Sequence, residues 1–179
     1  MFGAGQKSYP MPETIDSNVI PTMEAPKLLK VSSGDGKMKL HMSSQASKEG
    51  TVSYVFTVEN VEADKKWPLF EKTVLAEDSM EIPANSWSPD NKQLFIQSIE
   101  GGVVRYYVFK TDNSLYKDET QYLDVYASWI KGGYKGKIKT VSGWAGPDLL
   151  VVYSTLADGS KGPLFWYVTG TQKLMQVAR

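Results

Sequence analysis

An all-β fold is what this 179-residue sequence predicts, and three features predict it. Short apolar runs rich in Val, Ile, Tyr, Phe and Thr alternate with polar residues, the pattern of a pleated, half-buried surface. Turn residues separate the runs at Gly34-Asp35-Gly36, Pro89-Asp90-Asn91, Gly101-Gly102, Asp112-Asn113, Gly132-Gly133, Asp158-Gly159 and Gly162-Pro163. No window longer than about ten residues keeps a 3.6-residue period, so a helix-rich fold is not expected.

Along the chain, residues 1–26 differ from the rest. Pro10, Pro12, Pro21 and Pro26 sit there among Gly, Ser, Thr and Glu, without apolar periodicity. Proline removes ladder donors, so this stretch reads as a flexible arm or linker, or more sharply as an arm that docks on a neighbour. Residues 27–179 form the β-repeat domain. Its expected strands are 28–31, 38–43, 52–58, 69–75, 93–98, 103–110, 122–127, 138–141, 149–154 and 164–169.

Composition removes several function classes. Twenty Lys and Arg balance twenty Asp and Glu, which argues against a protein devoted to gripping nucleic acid. Without Cys there is no disulfide, thiolate metal site or Cys nucleophile, and one His cannot build a multi-His site within a chain. No metal or other cofactor is expected. No apolar run is long enough to span a bilayer as a helix, and no signal peptide is visible.

The informative feature is repetition. Trp87-Ser88-Pro89-Asp90-Asn91-Lys92 opens a strand over 93–98, followed by a Gly-Gly hairpin and the aromatic strand Arg105-Tyr106-Tyr107-Val108-Phe109. A later copy runs from Trp144-Ala145-Gly146-Pro147-Asp148 through Leu149–Ser154 to Phe165-Trp166-Tyr167-Val168. An earlier one runs from Ser33-Gly34-Asp35-Gly36-Lys37 through Met38–Ser44 to Ser53-Tyr54-Val55-Phe56-Thr57. The first copy keeps Asp35-Gly36-Lys37 but starts on Ser33 with altered spacing; the third has its Pro-Asp pair shifted by one residue and lacks the Lys. Asp in such a turn bonds downstream amides, and Gly or Asn tolerates the left-handed conformation that reverses the chain. Trp87 and Trp144 are expected to pack between sheets.

The Trp87–Lys92 motif with its flanking strands resembles the repeat of TolB-like, or WD40-like, β-propellers, whose blades open on a W-S-P-D-G-K turn. The likeness extends over most of 27–179 in about three repeats. It implies a partial propeller-like array of about three antiparallel blades, the alternative being an open, sandwich-like β domain. Three blades fall short of a closed ring, which typically has four to eight. On this reading the third copy stops short of its outer strands, 28–31 supplies a strand from the N-terminal side, and two chains associate, as in a six-bladed homodimer.

Candidate chemistry is sparse. His41 lies in a strand and reads as a surface residue. Glu77-Asp78-Ser79-Met80-Glu81 reads as a solvated turn cluster rather than paired catalytic carboxylates. No G-x-S-x-G or phosphate-loop pattern occurs. The candidate ligand-binding residues are Trp129, Lys131, Tyr134, Lys135 and Lys137, because aromatics interleaved with lysines can stack on and neutralise an anionic ligand. The competing reading makes Lys135, Lys137 and Lys139 guards of an exposed strand edge.

The function expected is a non-enzymatic binding or scaffold module recognising a protein, peptide or glycan on its loops. The alternatives are the gating or catalytic propeller portion of a peptidase or glycan-active hydrolase, and a structural assembly subunit. The resemblance implies an extracytoplasmic setting and protein partners.

Overall fold

The structure is a computed structural model describing residues 25–177, so nearly all of the arm expected over 1–26 and residues 178–179 lie outside the described residues. A first sheet comprises β1 (Lys27–Ser32), β2 (Met38–Ala46), β3 (Thr51–Asn60) and β4 (Lys65–Leu75). The second comprises β5 (Ser79–Glu81), β6 (Gln93–Glu100), β7 (Val103–Lys110) and β8 (Tyr122–Asp124), followed by the helix α1 (Val125–Lys131). The third comprises β9 (Lys137–Gly146), β10 (Leu149–Thr155), β11 (Lys161–Val168) and β12 (Lys173–Gln176). Each strand pairs antiparallel with its neighbour in the chain, so every sheet is a four-stranded meander. The all-β expectation holds.

Two apolar seams join the sheets. In the first, Leu40, Phe56, Val58 and Leu69 of the first sheet meet Leu94, Ile96, Tyr107 and Phe109 of the second. In the other, Phe95, Tyr106, Val108 and Leu123 meet Leu150, Val152, Phe165 and Tyr167 of the third sheet. Successive side chains on a strand point to opposite faces, so a sheet covered on both sides needs a continuous apolar run. Leu94-Phe95-Ile96 is such a run, and all three residues are fully buried. Burying each Leu or Phe contributes about 1.5–3 kcal/mol.

Indole N–H groups tie the seams at their ends. Trp67 Nε1 donates to the Thr111 carbonyl across the first seam, and Trp144 Nε1 donates to the Ser86 carbonyl across the second, both at 2.9 Å. Trp87 packs against the first seam and Trp144 against the second, as their spacing in the sequence implied.

The repeated turn is the same object twice. Ser88 Oγ donates to Asp90 Oδ1 at 2.8 Å, Asp90 Oδ1 accepts from the Lys92 amide at 3.2 Å, and Ser88 Oγ accepts from the Gln93 amide at 2.9 Å. Ser33, Asp35, Lys37 and Met38 make the corresponding bonds at 2.7, 3.0 and 3.0 Å. Gly36 (φ 73°) and Asn91 (φ 56°) both take the left-handed turn. Ser33 therefore stands where Ser88 stands and Ser32 where Trp87 stands, which corrects the altered spacing read from the sequence. In the third copy Asp148 makes no such clasp; its carboxylate accepts from Gln93 Nε2 of the second sheet at 2.8 Å and from Thr169 Oγ1 at 3.3 Å.

Four sequence expectations change. The third copy is a complete sheet, because β12 supplies its outer strand. Strand β1 pairs with β2 in its own sheet and closes nothing at the far end of the stack. The acidic stretch 77–81 is not all turn, because it contains β5 with Met80 buried in the first seam, while Glu77 and Glu81 are exposed to solvent as expected. The strand expected over 122–127 is divided into β8 and α1. Asp124 caps that helix, its Oδ1 accepting from the Tyr126 and Ala127 amides at 2.8 and 3.1 Å, which satisfies donors a ladder would otherwise have to pair. Pro68 is tolerated in β4 because that strand lies at an edge and the register shifts beside it.

Candidate functional site

A groove of about 770 Å³ opens where α1 and the segment before it face β12, between the second and third sheets. The Asp124 cap and the short β8 aim α1 along this groove, while Val125 and Trp129 anchor it in the second seam. Leu123, Ala127 and Leu174 form its apolar floor. Asp118, Ser128, Lys131, Gln172 and Lys173 supply its polar rim.

Most of the polar groups already have partners. Asp124 Oδ2 accepts from Arg105 Nη1 at 2.9 Å, so both its oxygens serve the fold. Asp118 accepts from Gln172 Nε2 at 2.9 Å and from Thr120 Oγ1 at 2.8 Å. These two bonds, Gln172 first, hold its carboxyl below the ordinary range, leaving an anion at the rim. Burial pushes the Tyr167 phenol up to about 12 against the bond with Ser128 Oγ, so the phenol remains neutral near neutral pH. Lys131 and Lys173 form no hydrogen bond or ion pair among the described residues and are exposed.

The five residues expected to bind a ligand do not assemble into one surface. Trp129 is 1% exposed, with its ring edge-on to Phe165 at 5.1 Å, so it is core and offers no stacking face. Tyr134 is half-buried, and its hydroxyl donates to the Leu174 carbonyl at 2.6 Å, which covers the free edge of β12. Lys135 and Lys137 lie in the turn before β9 and at its start; β9 is an edge strand of the third sheet. Between them Gly136 passes so close to the chain that a Cβ would sit 2.0 Å from the Thr155 carbonyl oxygen, so only Gly fits. Lys131 alone reaches the groove together with Tyr134.

Sequence reasoning missed Asp118, Ser128 and Lys173. The available signal was Asp124 as a helix cap, which would have placed Ser128 and Lys131 on successive turns. Lys173 carried no local signal, since only tertiary pairing brings β12 opposite α1.

His41 lies on the outer face of the first sheet, with Nε2 2.5 Å from Glu59 Oε2. Among the described residues no three His, Asp or Glu side chains gather in a way that would hold a metal ion. Among the same residues, no helix is long and apolar enough to cross a membrane. No family model matches the chain, and no curated protein matches it.

Proposed function

We propose that this chain is a propeller-like binding or scaffold module without catalytic activity, which recognises an extended acidic segment of a protein or peptide partner in the groove between α1 and β12. The groove carries the reading: an apolar floor is flanked by two lysines that make no pairing within the described residues, beside carboxylates already committed to the fold. Such a site gains affinity from burying aliphatic side chains and selectivity from the Lys pair. Three consecutive meanders and the twice-repeated Ser-x-Asp turn support the propeller-like description, and the resemblance to TolB-like repeats carries with it an extracytoplasmic setting.

The test is selection from a displayed random peptide library on the wild-type protein, with counter-selection on the Lys131→Glu/Lys173→Glu variant. Enriched peptides should be rich in Asp and Glu, should shift the amide resonances of α1 and β12, and should lose at least tenfold in affinity on the variant. Peptides that bind both proteins equally would remove the groove from the proposal. A glycan array positive where the peptide library is blank would replace the peptide with a sugar.

A further inference from the structure

A second cavity, of about 370 Å³, opens where the end of β1, the segment between β5 and β6, and β9 meet, so all three sheets contribute to it. Strands β1 and β9 are edge strands, and β8 and β12 are the edges at the other side of their sheets. This cavity and the groove between α1 and β12 therefore stand at opposite edges.

Its wall is irregular backbone. Register shifts leave Ser142 and Ala145 of β9 without partners on β10, one on each side of Gly143-Trp144. Such bulges re-aim the side chains beside them. Gly143 has φ 136°, and a Cβ there would come within 2.9 Å of Asn85 Cβ, so glycine lets the two segments close. Asn85 Nδ2 then donates to the bulged Ser142 carbonyl at 3.2 Å, beside the bond from Trp144 Nε1 to Ser86.

The lining has a distinct chemistry. Trp87 and Trp144 are half-buried there. Trp144 Nε1 is engaged, and Trp87 Nε1 is sealed from solvent without a partner among the described residues, so both indoles offer the cavity carbon surface alone. Beside them the Ser32 and Ser142 hydroxyls and Asn85 Oδ1, all on exposed residues, form no hydrogen bond among the described residues. No residue lining the cavity is ionisable, whereas the groove between α1 and β12 carries Asp118, Lys131 and Lys173. An ionised ligand would give up its water here and meet no opposite charge.

We propose that this cavity binds an uncharged pyranose sugar. One face of a pyranose ring presents C–H groups that stack on the carbon face of an indole, while the hydroxyls around its rim need donors and acceptors. The two tryptophans supply the first, and Ser32, Asn85 and Ser142 supply the second. The volume lies near the lower end of the roughly 300–1,000 Å³ of small-molecule sites, which suits one or two rings. A free sugar and the end of a glycan chain share this chemistry. Sugar binding here is independent of peptide binding between α1 and β12.

The experiment is titration of the wild-type protein, followed by amide and indole resonances, with glucose, galactose, mannose, N-acetylglucosamine and cellotetraose. Glucuronate serves as the charged control and a proline-rich peptide as the competing class. At least one neutral sugar should move the amides of Asn85, Ser142 and Gly143 and the Trp144 indole, with a dissociation constant of about 1 mM, the range open to so small a ligand. The resonances of α1 and β12 should stay fixed, and glucuronate should move nothing. Tighter binding of cellotetraose than of glucose would mark a glycan end as the source, and weaker binding a free sugar. Asn85→Ala should weaken binding about fivefold, the loss of one hydrogen bond, and Trp144→Ala should abolish it. If Trp144→Ala does not fold, Asn85→Ala decides. Silence from every neutral sugar, shifts confined to α1 and β12, equal binding of glucuronate, or undiminished binding by Asn85→Ala would each overturn the proposal. The peptide moving these resonances where sugars do not would replace the sugar with an extended proline-rich chain.

Discussion

Among the described residues, no other sheet covers the outer face of the first sheet or the outer face of the third, and the two faces differ at matched positions. Where the third sheet carries Val152 and Phe165 toward its inner neighbour, the first sheet carries His41 and Thr57 toward water. The backbone pairing is the same, so sheet geometry does not decide which face is wet. Side-chain chemistry does, and the charged centre of that face, beside the exposed Leu28, Val55 and Leu75, acts as a terminal cap: an unpaired charge costs far more to bury than an apolar side chain costs to expose.

Exchanging matched residues breaks the comparison most severely. Ile96 is the counterpart of His41, so Ile96→His places an imidazole in the sealed first seam and should lower unfolding stability by at least about 3 kcal/mol in urea titration. The reverse change, His41→Ile, loses one surface hydrogen bond and should cost no more than about 1 kcal/mol. Equal effects for the two variants would mean that the first sheet's outer face is covered.

The turns give an intermediate effect. Ser88 is 1% exposed and Ser33 5%, and each both donates to its Asp and accepts from an amide. Ser88→Ala should cost about 1–2 kcal/mol by leaving the Gln93 amide without its partner, and Ser33→Ala somewhat less, because among the described residues a neighbouring sheet anchors the first sheet on one side only. Thermal unfolding of both variants ranks them; a larger loss at Ser33 would contradict the cap description.

The smallest effect separates the ion pair at a covered seam from the one on an uncovered face. Burial pushes the Glu100 carboxyl up, but hydrogen bonds from Lys72, Ser98 and Tyr107 outweigh it and hold the folded value below the ordinary one. Lys72 belongs to the first sheet and Glu100 to the second, so this pair fastens the seam. A depressed folded value means that its stabilisation is fully present above the ordinary Glu value near about 4.3 and is lost as pH falls through the folded value. Glu100→Gln should therefore be less stable than wild type by about 1 kcal/mol at pH 7, with the gap closing below about pH 4. A gap independent of pH would show that the carboxylate charge contributes nothing.

Strand content was legible because local pattern and tertiary burial agree. The strand run at 103–110, for example, is β7 itself. Failures came where one residue changes the local outcome. Asp124 turns an aromatic, strand-like segment into a helix by capping it, and Lys173-Leu174-Met175-Gln176 is too short to read as a strand before β11 offers it a ladder. The candidate site suffered more. Trp129, Tyr134 and the lysines are neighbours in sequence, but the chain turns between them and sends the indole inward, the phenol to one strand edge, Lys131 to the groove and Lys135 and Lys137 to another edge.

The sequence by itself determined the all-β class, the repetition and the Ser-x-Asp turn, because each rests on interactions within a few residues: alternation across a pleat, a side chain bonding its own backbone, a left-handed Gly or Asn. Only the tertiary structure decided that three full sheets stack in order, that the groove joins residues about fifty positions apart, and that charged side chains gather at the centre of one outer face and apolar ones at the centre of the other. Those outcomes depend on which face of each strand meets another sheet, and alternation fixes the two faces without saying which one is covered.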